Sequence, residues 1–464
     1  MERAEKIFEK IALMLVCLSC FFLIIDLACE QTFYLFEMFV MLLLFVVFYE
    51  FSKNYKTYLS TYRKSNFAVK KVLIALIAYF VIDIINSTYS LNYIYIFEKY
   101  RVVLSTLLIG ISIYLFCKDE KNLALIKQSL FFASCFISLI TVLDYVFFGK
   151  IGLNYILRFS LRRDYNVYSM AIFIGFVFQI FSILKADLNM LRKIITLFAI
   201  NVICLPTLLL SGSRRIMVML LVTAFLCLIV ILVQLFRRNK NIFEMISTAA
   251  LISISTAIII LQISVLQNYM IYIYNTPKSI YAPNISKSAE ITALERLETA
   301  SNVGAFGKRK IIWEMGLNEF EKYSITQKIF GKGNCYDIDF YNSTYNESLE
   351  KAYGGREHYV GKMSAHSFVL ADLLNGGILK LAFSIWLISE IARILIIKFF
   401  DNPIDILAYI IVFSICIGGD LISNRYGILY DKILILAVFM LSKEELKNYD
   451  KGRKSLRNHI STPT

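Results

Sequence analysis

Recognisable catalytic signatures are what this chain lacks. It has no G-x-x-x-x-G-K-[ST] phosphate loop, no G-x-S-x-G and no H-E-x-x-H, which argues against an ATPase, a serine hydrolase and a zincin. Histidine is scarce, with three residues (His358, His366 and His459). The nine cysteines form no zinc-type cluster. Cys17 and Cys20 have C-x-x-C spacing but lie inside the first long apolar run, where a redox or metal role is not expected. Cys335 is the lone cysteine of the one long polar stretch, so that stretch has no internal disulfide. Charged residues make up only 18% of the chain.

Apolar residues are abundant instead. They reach 58%, above the roughly 45–50% of a soluble domain. Runs of about 18 or more, long enough to cross a bilayer as helix, fall at 11–29, 32–51, 69–87, 100–117, 125–147, 166–184, 192–210, 215–236, 243–266, 367–397, 403–422 and 427–442. The first run is followed at once by a second and by no small-residue cleavage site, so it reads as a span and not as a cleaved signal. The expected fold is an all-α polytopic membrane protein of about twelve transmembrane helices. Its segments are a membrane domain over 1–266, a polar loop over 267–364, a second membrane part over 365–442 and a basic tail over 443–464.

A net charge of +14 could suggest nucleic acid, but its placement does not. Lys53, Lys56, Arg63, Lys64, Lys70 and Lys71 follow the second run, and Lys118, Lys121 and Lys127 the fourth. Lys185, Arg192 and Lys193 follow the sixth, and Arg237, Arg238 and Lys240 the eighth. These are alternate loops, so the basic residues read as a topology signal. Both termini are expected in the cytoplasm and loop 267–364 on the outer side.

Arginines on the outer side run against that signal. Arg158, Arg162 and Arg163 precede the sixth run in Arg162-Arg163-Asp164-Tyr165-Asn166, and Arg214 and Arg215 open the eighth in Ser211-Gly212-Ser213-Arg214-Arg215. Arg309 stands four residues before Trp313, on the same face of an amphipathic pattern over 308–322. That pattern fits a helix on the membrane surface or one packed in a loop domain. Asp164, Ser211 or Ser213, and Ser364 are suitable caps for helices whose N-termini face outward. Such ends attract anions, and guanidinium forks match phosphate oxygens. Taken singly, each arginine would sooner meet a phospholipid headgroup or a loop carboxylate. As a set they suit a pyrophosphate-linked lipid.

His366 stands where the chain re-enters the apolar phase, in Ala365-His366-Ser367-Phe368. A positive helix end would keep its imidazole neutral and able to accept a proton, which makes it the best general-base candidate. His358 is a weaker second. Gly377 is expected about three turns deeper on the same face, admitting another helix closely. Asp337-Ile338-Asp339 has the D-x-D spacing of some metal–diphosphate sites, but a metal is not expected there. Asp420 and Arg425 flank the last outer turn, and Asp83 and Asp26 read as interfacial.

Together these motifs resemble the O-antigen ligase and polymerase family. Ser211-Gly212-Ser213-Arg214 is similar to its S-G-S-R element, Arg309-x-x-x-Trp313 to its R-x-x-x-W, and Phe330-Gly331-Lys332-Gly333-Asn334 to its G-x-G. Ala365-His366-Ser367 leading to Gly376-Gly377 is similar to its H-N-x-x-L…G-x-x-G, with Ser367 in place of asparagine. Asp164-Tyr165-Asn166 is similar to D-P-N, with Tyr165 in place of proline. The resemblance implies a GT-C-like membrane glycosyltransferase that is metal-independent and inverting, without a cofactor. It would use a polyprenyl-pyrophosphate-linked glycan on the outer face of the inner membrane. Arg214 and Arg309 would hold the pyrophosphate and His366 would act as base. Arg215, Arg162, Arg163, Asp164, Asn166, Ser211, Ser213, Trp313 and Ser367 would line the substrate. A chain-length regulator and a flippase would be partners. Polymerase is the first expectation, ligase the second, and a lipid-linked oligosaccharide flippase the competitor from another class. A flippase would call for charged groups deep in several spans and short loops.

Overall fold

A computed structural model describes residues 2–29, 34–64, 67–90, 93–117, 119–144, 160–161, 165–237, 242–275, 304–343, 349–350, 363–401, 403–423 and 435–441. Every regular element among them is a helix. In chain order these are α1 (Glu2–Ala28), α2 (Tyr34–Lys64), α3 (Phe67–Thr88), α4 (Tyr93–Phe116), α5 (Glu120–Leu143), α6 (Tyr165–Lys185) and α7 (Met190–Leu210). They continue with α8 (Arg214–Arg237), α9 (Ile242–Asn275), α10 (Gly304–Glu321), α11 (Ile325–Phe330), α12 (Tyr336–Ser343), α13 (Phe368–Asp401) and α14 (Pro403–Ser423).

Seven of these helices contain a stretch long and apolar enough to cross a membrane: Glu5–Ala28, Lys70–Thr88, Glu120–Leu143, Tyr165–Lys185, Met190–Leu210, Arg214–Gln234 and Ala250–Tyr269. Shorter apolar helices run over Val103–Phe116 and Ile406–Gly418. Helices overlap each of the first eleven expected runs, and residues 435–441 of the twelfth are helical. The described residues are thus all-helical in their regular structure, consistent with a polytopic membrane protein.

The chain divides into two compact units. One comprises Met1–Met41, Lys121–Ser301 and Asn402–Ile415, and the other Leu42–Glu120, Asn302–Asp401 and Cys416–Thr464.

In the first unit α6 is the central helix, packed by α1, α7 and α8, while α9 lies on α7. Its sequence is apolar around the whole circumference, as a helix surrounded by neighbours requires. Close approach is set by a small residue: a side chain at Gly175 would overlap the Leu130 carbonyl and the Ser134 hydroxyl. Short hydrogen bonds cross between helices, from Tyr168 OH to Thr141 Oγ1 at 2.7 Å and from Thr207 Oγ1 to Ser138 Oγ at 3.0 Å. Such pairs hold helices together where lipid supplies no hydrophobic drive between them. Cys17, Cys20, Cys135 and Cys204 take part in no disulfide.

In the second unit α13 lies along α3, and α10, α11 and α12 pack against it. The helix is broken at Gly377, whose φ of 67° is left-handed. The expectation of one face running three turns from His366 to Gly377 therefore fails. The close approach does hold: the carbonyls of Lys328 and Ile329, at the end of α11, lie where a Cβ would be. The pattern expected over 308–322 is helix over Gly304–Glu321, so it starts before Gly307. A glycine costs a helix only about 1 kcal/mol, less than the packing of α10 recovers. Ile312 is fully buried in a cluster with Tyr341, Leu370, Ala371 and Leu374, and Trp313, Met315 and Phe320 cover it. The amphipathic stripe is thus seated on protein.

Candidate active site

The turn at the mouth of α8 is built by its own short polar side chains. Gly212 takes a φ of 70°, a conformation glycine adopts without steric cost. The Ser211 N–H closes α7 onto the Thr207 carbonyl at 3.1 Å, and its hydroxyl accepts from the Ser213 N–H at 3.3 Å. The Ser213 carbonyl accepts from Met217 N–H at 3.0 Å, which puts Ser213 at the cap position. Its hydroxyl donates to Asn166 Oδ1 at 2.9 Å. The structure therefore joins two separate motifs, the S-G-S-R turn and the first turn of α6. Ser211 and Ser213 are buried, while Arg214 and Arg215, the first residues of α8, are half-buried. Arg158, Arg162, Arg163 and Asp164 lie outside the described residues, as do His358, Arg425 and His459.

In the second unit the loop before α13 is packed almost throughout. Met363, Ser364, Ala365, Ser367 and Phe368 are buried, and His366 between them is half-exposed. His366 has a φ of 51°, uncommon for a non-glycine residue and a recurrent mark of functional positions. The cap falls at Ser367 and not at Ser364: the Ser367 carbonyl accepts from the Ala371 N–H at 2.9 Å, so α13 starts three residues later than expected. Arg309 and Trp313 sit one turn apart on α10, Arg309 half-exposed and Trp313 on the core cluster.

Asp337 braces this loop. Its Oδ2 accepts the Ala365 N–H at 3.1 Å and its Oδ1 accepts from Asn375 Nδ2 at 2.9 Å. Asn375 Oδ1 in turn accepts the Asp337 N–H at 2.9 Å. The carboxylate is fully buried. Burial pushes its pKa up, and the bonds from Asn375 and Ala365 pull it only part of the way back. Both oxygens of the first D-x-D aspartate thus have protein partners. No group of three His, Cys, Asp or Glu side chains that could hold a metal occurs among the described residues.

The Gly331-Lys332-Gly333-Asn334 segment is a backbone clamp. Lys332 N–H donates to the Leu374 carbonyl at 3.2 Å, Gly333 N–H to Asn375 at 2.9 Å, and Asn334 N–H to Asn86 on α3 at 3.1 Å. Gly331 at φ 75° touches the Asn375 carbonyl, and Gly333 at φ 104° faces the backbone of Ser90.

Beneath the clamp lies a buried polar network that the sequence reading missed. Lys380 Nζ stands 2.7 Å from Asp83 Oδ1 and 3.7 Å from Asp372 Oδ1, and donates to Asn334 Oδ1 at 2.6 Å. Asn334 Nδ2 lies 2.7 Å from the Asp83 carbonyl and 2.6 Å from Ser87 Oγ. Tyr100 OH donates to Asp83 Oδ2 at 2.9 Å, and Ser384 donates to Asp372 Oδ2. Asp83 is only 1% exposed, so it is not the interfacial residue expected. The available signal was a lysine and an aspartate inside apolar runs, which rarely occur there without partners.

Residues 199–385 match the family model described as O-antigen ligase, a segment that includes Ser211, Arg214, Arg309, Asn334 and His366. That match supports membership of the O-antigen ligase and polymerase family, whose function is of the glycosyltransferase type on lipid-linked glycans. Nothing in the match points to a flippase. Among curated proteins no sequence matches the chain.

Proposed function

We propose that this protein polymerises polyprenyl-pyrophosphate-linked oligosaccharide repeat units on the outer face of the inner membrane. His366 is the general base. It takes the proton from an acceptor sugar hydroxyl as that oxygen bonds to the anomeric carbon of the donor. The bond from that carbon to the pyrophosphate oxygen breaks with inversion, and the polyprenyl pyrophosphate leaves with the electron pair. Arg214 and Arg309 hold the pyrophosphate and stabilise the charge that grows on it. Arg215, the Ser211–Ser213 turn and Asn166 shape the donor end, with Arg162, Arg163 and Asp164 beside it in sequence. Arginine charge serves here where a divalent cation serves other diphosphate enzymes.

The observation that carries this reading is the presentation of His366. One half-exposed imidazole stands at φ 51° within an otherwise buried stretch, inside the O-antigen ligase segment. A base must reach its proton at hydrogen-bond distance, and a residue held by its neighbours meets that need. Ligation to a lipid A core, protein or wall acceptor uses the same chemistry and is the second reading. The basic loops support cytoplasmic termini and an outer active site. The proposed neighbours in the cell, a flippase and a chain-length regulator, follow from that placement.

The test is glycan length on gels from deletion cells complemented with wild type or His366→Ala. Polymerase predicts a ladder with wild type and single repeat units on the acceptor with the variant. Long chains that stay on the carrier lipid would assign ligase. A His366→Ala ladder equal to wild type at equal expression would remove the base assignment.

A further inference from the structure

The second unit has an open cleft of about 560 Å³, lined by Tyr89, Thr326, Gln327, Phe330, Gly331, Lys332 and Tyr336. Ring surfaces and polar groups alternate around it. Tyr89 and Phe330 are exposed, at 40% and 46%, and Tyr336 is half-buried. The wall is held in shape: Tyr89 OH lies 2.5 Å from the Phe330 carbonyl, and Ser324 and Gln327 form a reciprocal capping box at the start of α11. That box uses Gln327 Oε1 to accept the Ser324 N–H at 3.1 Å. The amide NH2 on the other side of the same planar group remains as a donor.

The cation of the cleft is already neutralised. Lys332 Nζ is 2.7 Å from Glu319 Oε1 and 3.0 Å from Tyr336 OH, and it lies over the Tyr323 and Tyr336 rings at 4.4 and 4.6 Å from their centroids. An anion would have to compete with a carboxylate in direct contact. The cleft therefore suits a neutral ligand that has both an apolar face and hydroxyls. A pyranose ring has that chemistry: its C–H face lies on aromatic carbon, and its hydroxyls exchange hydrogen bonds with amide and hydroxyl groups.

The clamp ties this wall to α13 through the Leu374 and Asn375 carbonyls. Asn375 lies eight residues beyond Ser367, about 12 Å along a helix axis, a length that a short oligosaccharide spans. We propose that this cleft is a subsite for the non-reacting sugars of the lipid-linked glycan, separate from the arginine groups that take its pyrophosphate. The proposal rests on the glycan-transfer reading above and assigns that substrate a second point of attachment.

The probe is the oligosaccharide repeat unit freed from its carrier lipid by mild acid. It is titrated against full-length protein in lipid nanodiscs by saturation-transfer-difference NMR. Phe330→Ala removes a ring, and Thr326→Trp fills the cleft from an exposed position. Each is expected to weaken binding about tenfold or more and to raise KM for the glycan with little change in kcat. His366→Ala should bind as wild type while losing transfer. Inorganic pyrophosphate should leave the oligosaccharide bound.

Equal binding by wild type and both cleft variants, with transfer intact, overturns the subsite and leaves the glycan-transfer reading standing. Displacement by pyrophosphate overturns the neutral-sugar assignment. Binding that depends on the cleft in a protein that transfers nothing keeps the subsite and overturns the enzyme reading. Correct folding of both variants is checked by size-exclusion profile and thermal midpoint, and misfolding of one leaves the other to decide.

Discussion

The Asp337 carboxylate accepts the Ala365 N–H at 3.1 Å, one peptide before His366. This bond fixes the segment that carries the proposed base, although Asp337 itself belongs to α12. A misplacement of about 1 Å at a reacting group can cost about 100-fold in rate. Asp337→Asn puts an NH2 against one of two donors, so kcat is expected to fall by about that factor while KM for the glycan stays near wild type. An unchanged kcat in a folded variant removes Asp337 as a positioning residue.

Lys380 is buried between Asp83 and Asp372. Lys380→Met leaves two carboxylates without their cation. Removing one partner of a buried ion pair costs about 3–5 kcal/mol. The expected outcome is loss of the folded protein from membranes, read by fluorescence-detected size exclusion. Asp83→Asn combined with Lys380→Met should recover part of that loss, because less uncompensated charge remains. A single variant as stable as wild type would show that the network contributes nothing to folding.

Glu319 and Lys332 give a prediction in pH. Burial pushes the Glu319 pKa up, but hydrogen bonds from Lys332 and Tyr336 outweigh it and the net shift is downward. Its contribution is present above the ordinary Glu pKa of about 4.3 and is lost as pH falls through the lower folded value. Burial lowers the Lys332 pKa, yet its bonds to Glu319 and Tyr336 leave it raised. That contribution is present below about 10.4 and is lost as pH rises through the folded value. Glu319→Gln should therefore lower stability by a constant amount between about pH 5 and pH 10. A loss of about 1 kcal/mol fits a partly exposed pair. Thermal unfolding of both proteins across that range checks it, and a difference that grows or vanishes between pH 6 and pH 9 refutes it.

Gly331 and Gly377 face each other's segments at left-handed φ values of 75° and 67°. A methyl at Gly331 would overlap the Asn375 carbonyl, and one at Gly377 the Ile329 carbonyl. Both obstacles are backbone, which cannot swing aside as a side chain can. Gly331→Ala and Gly377→Ala are each expected to abolish folded protein or transfer, whereas Gly418→Ala, in open space, should be neutral. Membrane expression and the glycan ladder read all three, and a normal ladder from either of the first two would show that the clamp can open.

Much of this is legible in the sequence alone. The apolar runs mark the helices, because a bilayer-length stretch without charge has few other places to go. The Ser211–Arg214 turn, Arg309, Trp313 and His366 stood out because polar groups at the ends of apolar runs are few. The cap at Ser367, the break at Gly377 and the burial of Asp83 were not legible. Each depends on a partner distant in the chain: Asp337 for the loop, α11 for the break, and Lys380 for the aspartate.

By itself the sequence determined that this is a helical membrane protein, which of its segments are apolar, and which few side chains can bear charge or a proton. Those follow from composition and local spacing. Tertiary structure decided that Asn166 meets Ser213, that a D-x-D aspartate braces a histidine loop, and that a lysine in α13 holds two carboxylates. Apart from Lys380 and Asp372, eight residues apart on α13, these pairings join residues 28 to 297 positions apart. No local pattern specifies them, because desolvating a charge or a peptide group is tolerable only when packing has already delivered its partner.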